Sequence, residues 1–205
     1  TRSDVPASRF NAAGYQTASQ GGSFLTQDLN EWDSPFFRTL PQEASALDPQ
    51  QRLMLEIVYE AIENSGTPIT RLAEHPTGCW IGGANVDWHD LNMLDIDGSP
   101  LVGALSGSAA YISGRISWFF NLNGPSLTIN TACSSGLVAL DAACQSLRAG
   151  LVNMAIVGGV NLCENPSIFQ VLRRDNFISP DGRCKPFSSK ADGYGRGEAV
   201  TAVLL

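Results

Sequence analysis

An apolar helix lies between two apolar strands in the second half of the chain, and few folds can accommodate it. Residues 126–131 (SLTINT) are typical of a strand, and residues 154–160 (MAIVGGV) form a continuous apolar run typical of a parallel sheet. The helix predicted between them, at 134–148, is apolar nearly all round. Because such a helix must be covered on all sides, it belongs between layers. The pattern predicts an α/β protein with a layered architecture.

Other segments continue the alternation of helices and strands. Asp48 can cap a helix that begins at Pro49, and Gly66 can end it. Residues 1–47 carry scattered glycines and polar side chains and are expected to be irregular. An apolar strand at 201–205 is expected to lack partner strands within this chain. The further predicted elements are helices at 49–64, 108–119 and 166–174 and a strand at 78–84.

Composition argues against several classes of protein. The 205 residues carry 13 basic and 20 acidic side chains, a net charge of −7, without the basic cluster that nucleic-acid binding needs. No apolar run reaches the roughly 20 residues that span a bilayer. The five cysteines are odd in number and lack zinc-type spacing, which favours a reducing, cytoplasmic setting over a disulfide framework. His75 and His89 are isolated, so no metal site is predicted.

Cys133 occupies the junction between the second-half strand and the apolar helix. The start of a helix presents unpaired N–H groups and a positive dipole end, which favour thiolate over thiol and can stabilise an oxyanion. Small neighbours would let a substrate reach the sulfur, which suits a nucleophile. A buried structural cysteine is the alternative, since no histidine here is an evident base. The small neighbours are Ala132, Ser134, Ser135 and Gly136.

The spacing around Cys133 resembles the active-site pattern of β-ketoacyl synthases, and every anchor of that pattern is present. Two other segments, ALDPQQRLMLEIVYEAIENSG and SGRISWFFNLNGPSLTINTACSS, also resemble the family. SPDGRCKPFSSKADGYGRGEA resembles a signature of multidomain polyketide synthases, and VPASRFNAAGY the opening loop of fungal iterative ones. The chain is identified as an N-terminal-half fragment of such a ketosynthase domain. The anchors are Gly124, Ile129, Ala132, Cys133, Ser134, Ser135, Gly136 and Leu140.

The resemblance implies a thiolase-like fold of α-β-α-β-α layers made of two similar halves. Residues 1–205 would be most of the first half, truncated at both ends and inactive alone. The implied reaction loads an acyl group on Cys133, whose backbone N–H is an expected oxyanion donor, and then joins it to a decarboxylated malonyl unit. The two histidines that assist this reaction belong to HGTGT-like and KSNIGH-like motifs, which this sequence does not contain.

The resemblance also implies partners rather than a directly bound cofactor. Substrates would arrive on the phosphopantetheine of an acyl carrier protein, with carrier and acyltransferase domains in the same polypeptide. The complete domain would be a homodimer, with the strand before Cys133 near its two-fold axis. A fatty acid synthase condensing domain and a non-catalytic ketosynthase-like partner are the alternatives. Asn130 stands where polyketide synthases usually carry Asp, and Gly136 where many carry Ser.

Structural roles are expected for the remaining candidates. Cys79, Cys144 and Cys163 should lie in the core, and Cys184 in a loop. The mixed-charge stretch 183–198 should be a loop fixed by ion pairs and glycine turns. Positions in the core or at an interface are expected for Trp80, Trp88, Trp118, Phe119 and Phe120.

Overall fold

The longest helix begins and ends where the sequence predicts. A computed structural model describes residues 6, 9, 21–93 and 107–205. In it, the Asp48 carboxylate accepts the backbone N–H of Gln50 at 2.7 Å, and Gly66 ends the helix with a left-handed φ of 71°. The helices are α1 (Pro41–Ala46), α2 (Pro49–Ser65), α3 (Ile69–Glu74), α4 (Asp87–Met93), α5 (Ala110–Phe119), α6 (Ser135–Arg148) and α7 (Pro166–Arg174). The strands are β1 (Thr77–Gly83), β2 (Ser126–Ile129), β3 (Met154–Asn161) and β4 (Ala199–Leu204).

These strands form one sheet in the order β2-β1-β3-β4. β1 is parallel to both of its neighbours, and Cys79 lies opposite Ser126 on β2 and Ile156 on β3. At the β4 edge, Ala155 and Leu205 exchange both backbone hydrogen bonds at 2.9 Å, the pattern of an antiparallel pair. The terminal strand therefore has a partner within this chain, and the expectation that it would have none is wrong.

Helices cover both faces of the sheet. Side chains alternate along a strand, so Cys79 and Ile81 of β1 lie on one face and Trp80 lies on the other. The first face packs against α2 and α5, and the second packs against Ala139 and Ala143 of α6. The predicted α/β layering is confirmed. The first cluster contains Met54, Leu55, Val58, Ile62, Ile112, Ile116, Ile156 and Val160.

Only one face of α6 is buried, although the helix is apolar nearly all round. Ala139 and Ala143 have no exposed area, whereas Leu137 is 75% exposed. The predicted burial is therefore met on the side of the helix that faces the sheet. Composition shows which side chains favour burial, but among the described residues the core neighbours of this helix, such as Trp80, lie on the sheet side. Among the aromatic residues expected in the core or at an interface, Trp80 is in the core, whereas Trp118 is exposed and its position at an interface stays a prediction.

The first 47 residues are less irregular than the sequence indicates. α1 lies within them, and Pro41 occupies its first position, which suits the fixed φ of proline. A six-residue helix is too short to show a hydrophobic period. For residues 1–5, 7–8 and 10–20 the expectation lies outside the described part of the chain.

The chain forms two compact units. One consists of residues 32–161 and 200–205 and contains α1–α6 with most of the sheet. The other consists of residues 1–31 and 162–199. In this second unit Phe169 of α7 packs in a cluster with Phe24, Cys163 and Ile178. Its Arg9 and Glu198 form an ion pair at 2.8 Å, with both side chains almost fully buried.

Candidate active site

Residues 130–134 form a turn that joins β2 to α6 and carries Cys133. The cysteine is exposed, and the residue before it, Ala132, has a φ of 55°. This left-handed region costs an L-residue about 1–2 kcal/mol. The turn places Cys133 directly before Ser134, the N-cap of a helix of 14 residues, at the strand-to-helix junction that the sequence predicts. The left-handed alanine is a feature that the sequence did not indicate.

Side-chain hydrogen bonds hold this turn on both sides of the left-handed residue. Asn130 Oδ1 accepts the Ala132 N–H at 3.0 Å. Ser135 Oγ accepts the Thr131 N–H at 2.9 Å and donates to the Ala132 carbonyl at 2.6 Å. Ser134 Oγ donates to the Thr131 carbonyl at 2.8 Å. The conformation that exposes Cys133 is therefore fixed by its neighbours.

Asn130 shows what this turn requires at its first position. The Ala132 N–H needs an acceptor, and the amide oxygen supplies it. A carboxylate oxygen at the same position would accept the same hydrogen bond and would add a negative charge. Asn130, in place of the Asp expected from the resemblance, therefore keeps the hydrogen bond of the turn and leaves no negative charge three residues before Cys133.

The first turn of α6 lies directly on the backbone of β1. A Cβ added at Gly82 would come within 2.5 Å of the Ser135 carbonyl carbon and would overlap the Gly136 nitrogen. A Cβ at Gly159, on the neighbouring β3, would lie 3.9 Å from the Gly136 Cα. Glycine at position 82 is therefore required for this close approach. Gly82, near the end of the predicted strand at 78–84, thus allows the helix that follows Cys133 to pack against β1.

Exposure separates the cysteines into groups. Cys133 and Cys184 are exposed, Cys144 is half-buried, and Cys79 and Cys163 are fully buried. Burial raises the pKa of Cys79 to about 12, so this thiol stays protonated at neutral pH. The core positions of Cys79 and Cys163 and the loop position of Cys184 are confirmed. Cys133 alone combines exposure with a position at a helix start.

The charged segment is held by ion pairs, as the sequence predicts. Lys185 Nζ lies 3.1 Å from an Asp181 oxygen and 2.6 Å from an Asp192 oxygen. Hydrogen bonds from Ser179 and Lys185 lower the pKa of Asp181 to about 2. These contacts lie within the unit of residues 1–31 and 162–199.

A buried polar cluster at the start of α2 extends beyond the predicted Asp48 cap. Gln50 Nε2 donates to Asp48 Oδ2 at 3.0 Å and to the Asn85 carbonyl at 3.2 Å. Burial raises the pKa of Asp48 to about 6. Asp87, at the start of α4, is also buried. The only signal in the sequence is the polar run DPQQR at the head of an apolar helix.

Two negative findings apply to the described residues, 6, 9, 21–93 and 107–205. Within them, no three His, Cys, Asp or Glu side chains come together as a metal site would require. None of the helices found in this part of the chain has both the length and the apolar character needed to cross a membrane.

Comparisons with known proteins agree with one another. The family model described as "Beta-ketoacyl synthase, N-terminal domain" matches residues 2–205. Partially reducing polyketide synthase men1 from Menisporopsis theobromae is 43% identical over 99% of this chain. Highly reducing polyketide synthase dmxL2 from Cryptosporiopsis sp. is 46% identical over 92% of it. The chain spans only 8% of the length of each of these relatives.

Solved structures give the same result. The oxazolomycin ketosynthase domain OzmH KS7 from Streptomyces albus superposes with a TM-score of 0.89 and 32% identity, over 99% of this chain and 38% of that one. A ketosynthase from module 6 of the bacillaene synthase from Bacillus subtilis superposes with a TM-score of 0.85 and 32% identity, over 99% and 34%. The predicted thiolase-like α/β fold is therefore confirmed, and the chain belongs to the β-ketoacyl synthase family.

Proposed function

We propose that Cys133 is the acyl-accepting nucleophile of a condensing domain in polyketide biosynthesis. The observation that carries this proposal is the position of Cys133, which is exposed between the left-handed Ala132 and Ser134, the N-cap of α6. The helix start supplies N–H groups and a positive dipole end next to the sulfur. Family membership makes acyl transfer the chemistry that best fits such a thiol.

In the first step the Cys133 thiolate attacks the carbonyl carbon of an acyl thioester carried on phosphopantetheine. A carbon–sulfur bond forms, and the negative charge moves to the carbonyl oxygen, where the Cys133 N–H is the proposed donor. The intermediate then collapses and expels the phosphopantetheine thiolate, which takes up a proton. Ala132 and Gly136 are small, so the carrier arm can approach the sulfur.

In the second step a carrier-bound malonyl group loses carbon dioxide and leaves a carbanion. The carbanion attacks the carbonyl carbon of the acyl-cysteine, a carbon–carbon bond forms, and the Cys133 thiolate is released. The product is a β-ketoacyl chain two carbons longer, bound to the carrier. The histidines that the resemblance assigns to this step would come from the second half of the domain, since we propose that residues 1–205 are part of the first half.

The partners follow from this chemistry. We expect acyl carrier and acyltransferase domains in the same polypeptide, a homodimer of the complete domain, and a cytoplasmic location. The curated relatives support the presence of further domains in the same polypeptide, because they are polyketide synthases and this chain spans only 8% of their length. Their names also favour a polyketide synthase over a fatty acid synthase as the source of the domain.

Acyl loading tests the nucleophile. The complete synthase would be incubated with a short acyl thioester, digested, and mapped by peptide mass. We expect the acyl group on Cys133 and its loss in Cys133→Ala. Cys184→Ala is the matched control, because Cys184 is the other exposed cysteine and should not affect loading. Loading at another residue would contradict the assignment of Cys133. Absence of loading would favour the non-catalytic ketosynthase-like partner.

A further inference from the structure

α5 has a second face that the core does not use. Ile112 and Ile116 pack beneath the sheet, whereas Tyr111, Gly114 and Trp118 follow one another at helical spacing on another side. Tyr111 is 40% exposed and Trp118 is 68% exposed. Two large exposed aromatic rings on one helix face indicate a surface that contacts something.

These residues line a cavity of about 360 Å³. This volume is within the range of sites that bind small molecules. Among the residues that the structure describes, those that line the cavity all belong to the unit of residues 32–161 and 200–205. The other lining residues are Arg38, Thr39, Glu43 and Arg115.

The cavity wall carries one uncompensated positive charge. Arg115 is neutralised and held in place, because its Nη1 lies 3.0 Å from Glu43 Oε1 and its Nε donates to Gln51 Oε1 at 3.2 Å. Across the described part of the chain, the Arg38 guanidinium has no hydrogen bond or ion pair. A free guanidinium at a cavity favours an anion, above all a carboxylate that can accept two parallel hydrogen bonds.

Gly114 leaves room between the two aromatic side chains. Glycine destabilises a helix interior relative to alanine, and a Cβ at this position would meet no atom of the described residues within 4 Å. Packing therefore does not require glycine here, and its effect is to keep the cavity open. Arg38 is also held at a conformational cost, with a left-handed φ of 53°. Backbone strain of this kind is concentrated at ligand-binding positions.

We propose that this cavity binds a small anionic ligand with a flat apolar body. Arg38 would contact the anionic group, and the rings of Tyr111 and Trp118 would contact the apolar body beside Gly114. The inference goes beyond acyl transfer and does not depend on the role of Cys133. It rests on the cavity, the unpaired guanidinium, the exposed rings and the unfilled helix position.

Isothermal titration calorimetry with the complete synthase tests the proposal with three probes of similar shape. They are 2-naphthoate, which is anionic, 2-naphthamide, which is neutral, and 2-naphthylmethylamine, which is cationic. We expect saturable binding of 2-naphthoate and binding of the other two at least about tenfold weaker, because a charge-assisted hydrogen bond would be lost. Equal binding of the anionic and neutral probes, or no binding of 2-naphthoate, overturns the proposal.

Three variants locate the binding. Arg38→Ala should weaken 2-naphthoate about tenfold and leave 2-naphthamide unchanged. Arg148→Ala removes the same charge from an exposed position on α6 and should change neither value. Gly114→Leu fills the cavity from the helix side and should abolish binding. Unchanged 2-naphthoate affinity in Arg38→Ala, or in a folded Gly114→Leu synthase, would place the ligand elsewhere and refute the site.

Discussion

Ser135→Ala tests whether the turn at Cys133 needs its side-chain clamp. The change removes a hydroxyl that accepts the Thr131 N–H at 2.9 Å and donates to the Ala132 carbonyl at 2.6 Å. Losing these bonds costs about 1–3 kcal/mol, and the left-handed Ala132 is already about 1–2 kcal/mol unfavourable. The turn should therefore spend less time in the conformation that exposes Cys133.

The expected kinetic effect follows from these energies. A loss of about 1.4 kcal/mol lowers the equilibrium constant for the exposed turn tenfold, which sets about tenfold as the upper limit for the slowing of Cys133 alkylation. The assay is the rate of iodoacetamide labelling in the complete synthase, followed by peptide mass. Cys184 in the same molecule is the internal reference, because it is exposed but lies outside this turn.

Ser134→Ala is the matched control. Ser134 Oγ also donates to the turn, to the Thr131 carbonyl at 2.8 Å, but the residue is exposed and water can replace it. We expect a loss of less than about threefold, corresponding to a net hydrogen bond of about 0.5 kcal/mol. Equal rates in the two variants, or an unchanged ratio of Cys133 to Cys184 labelling in Ser135→Ala, would refute the clamp.

Two further predictions concern the support of the site and the start of α2. Gly82→Ala forces a Cβ to within 2.5 Å of the Ser135 carbonyl carbon. Urea denaturation should therefore show a free energy of unfolding that is lower by about 1–3 kcal/mol, and iodoacetamide should label Cys133 more slowly. Wild-type values for both measurements would contradict the close approach of the helix to β1. Burial raises the Asp48 pKa from 3.8 to about 6, so the favourable contribution of this group is complete below pH 3.8 and is lost as pH rises through 6. The Asn side chain of Asp48→Asn cannot ionise, so its free energy of unfolding relative to wild type should rise by up to about 3 kcal/mol between pH 4 and pH 7, as measured by urea denaturation. A difference between the two proteins that stays constant over this pH range would contradict the raised pKa.

Much of the fold follows from local signals in the sequence. The Asp48 cap, Pro49 and Gly66 define α2, and the apolar run at 154–160 falls within β3. Helices of six or seven residues, such as α1, α3 and α4, were missed because they are too short to show a period. The exposure of Leu137 could not be predicted, because an apolar helix shows a tendency to be buried without showing what covers it.

The candidate site was predicted in its position but not in its geometry. A strand, a run of small residues and an apolar helix place Cys133 at a helix start from sequence alone. The left-handed conformation of Ala132 could not be predicted, because alanine has no intrinsic preference for it. It depends on a hydrogen bond from Ser135, three residues further along the chain. The role of Gly82 depends on packing between elements about 50 residues apart, which local patterns do not encode.

The unequal burial of the five cysteines makes thiol titration a gauge of folding. A thiol reagent added to the native domain meets Cys133 and Cys184 first, and Cys144 more slowly because it is half-buried. Cys79 and Cys163 react only when the core opens, because both are fully buried. Labelling of Cys79 and Cys163, measured at increasing urea concentration, would therefore record the opening of each compact unit separately, because Cys79 lies in one unit and Cys163 in the other.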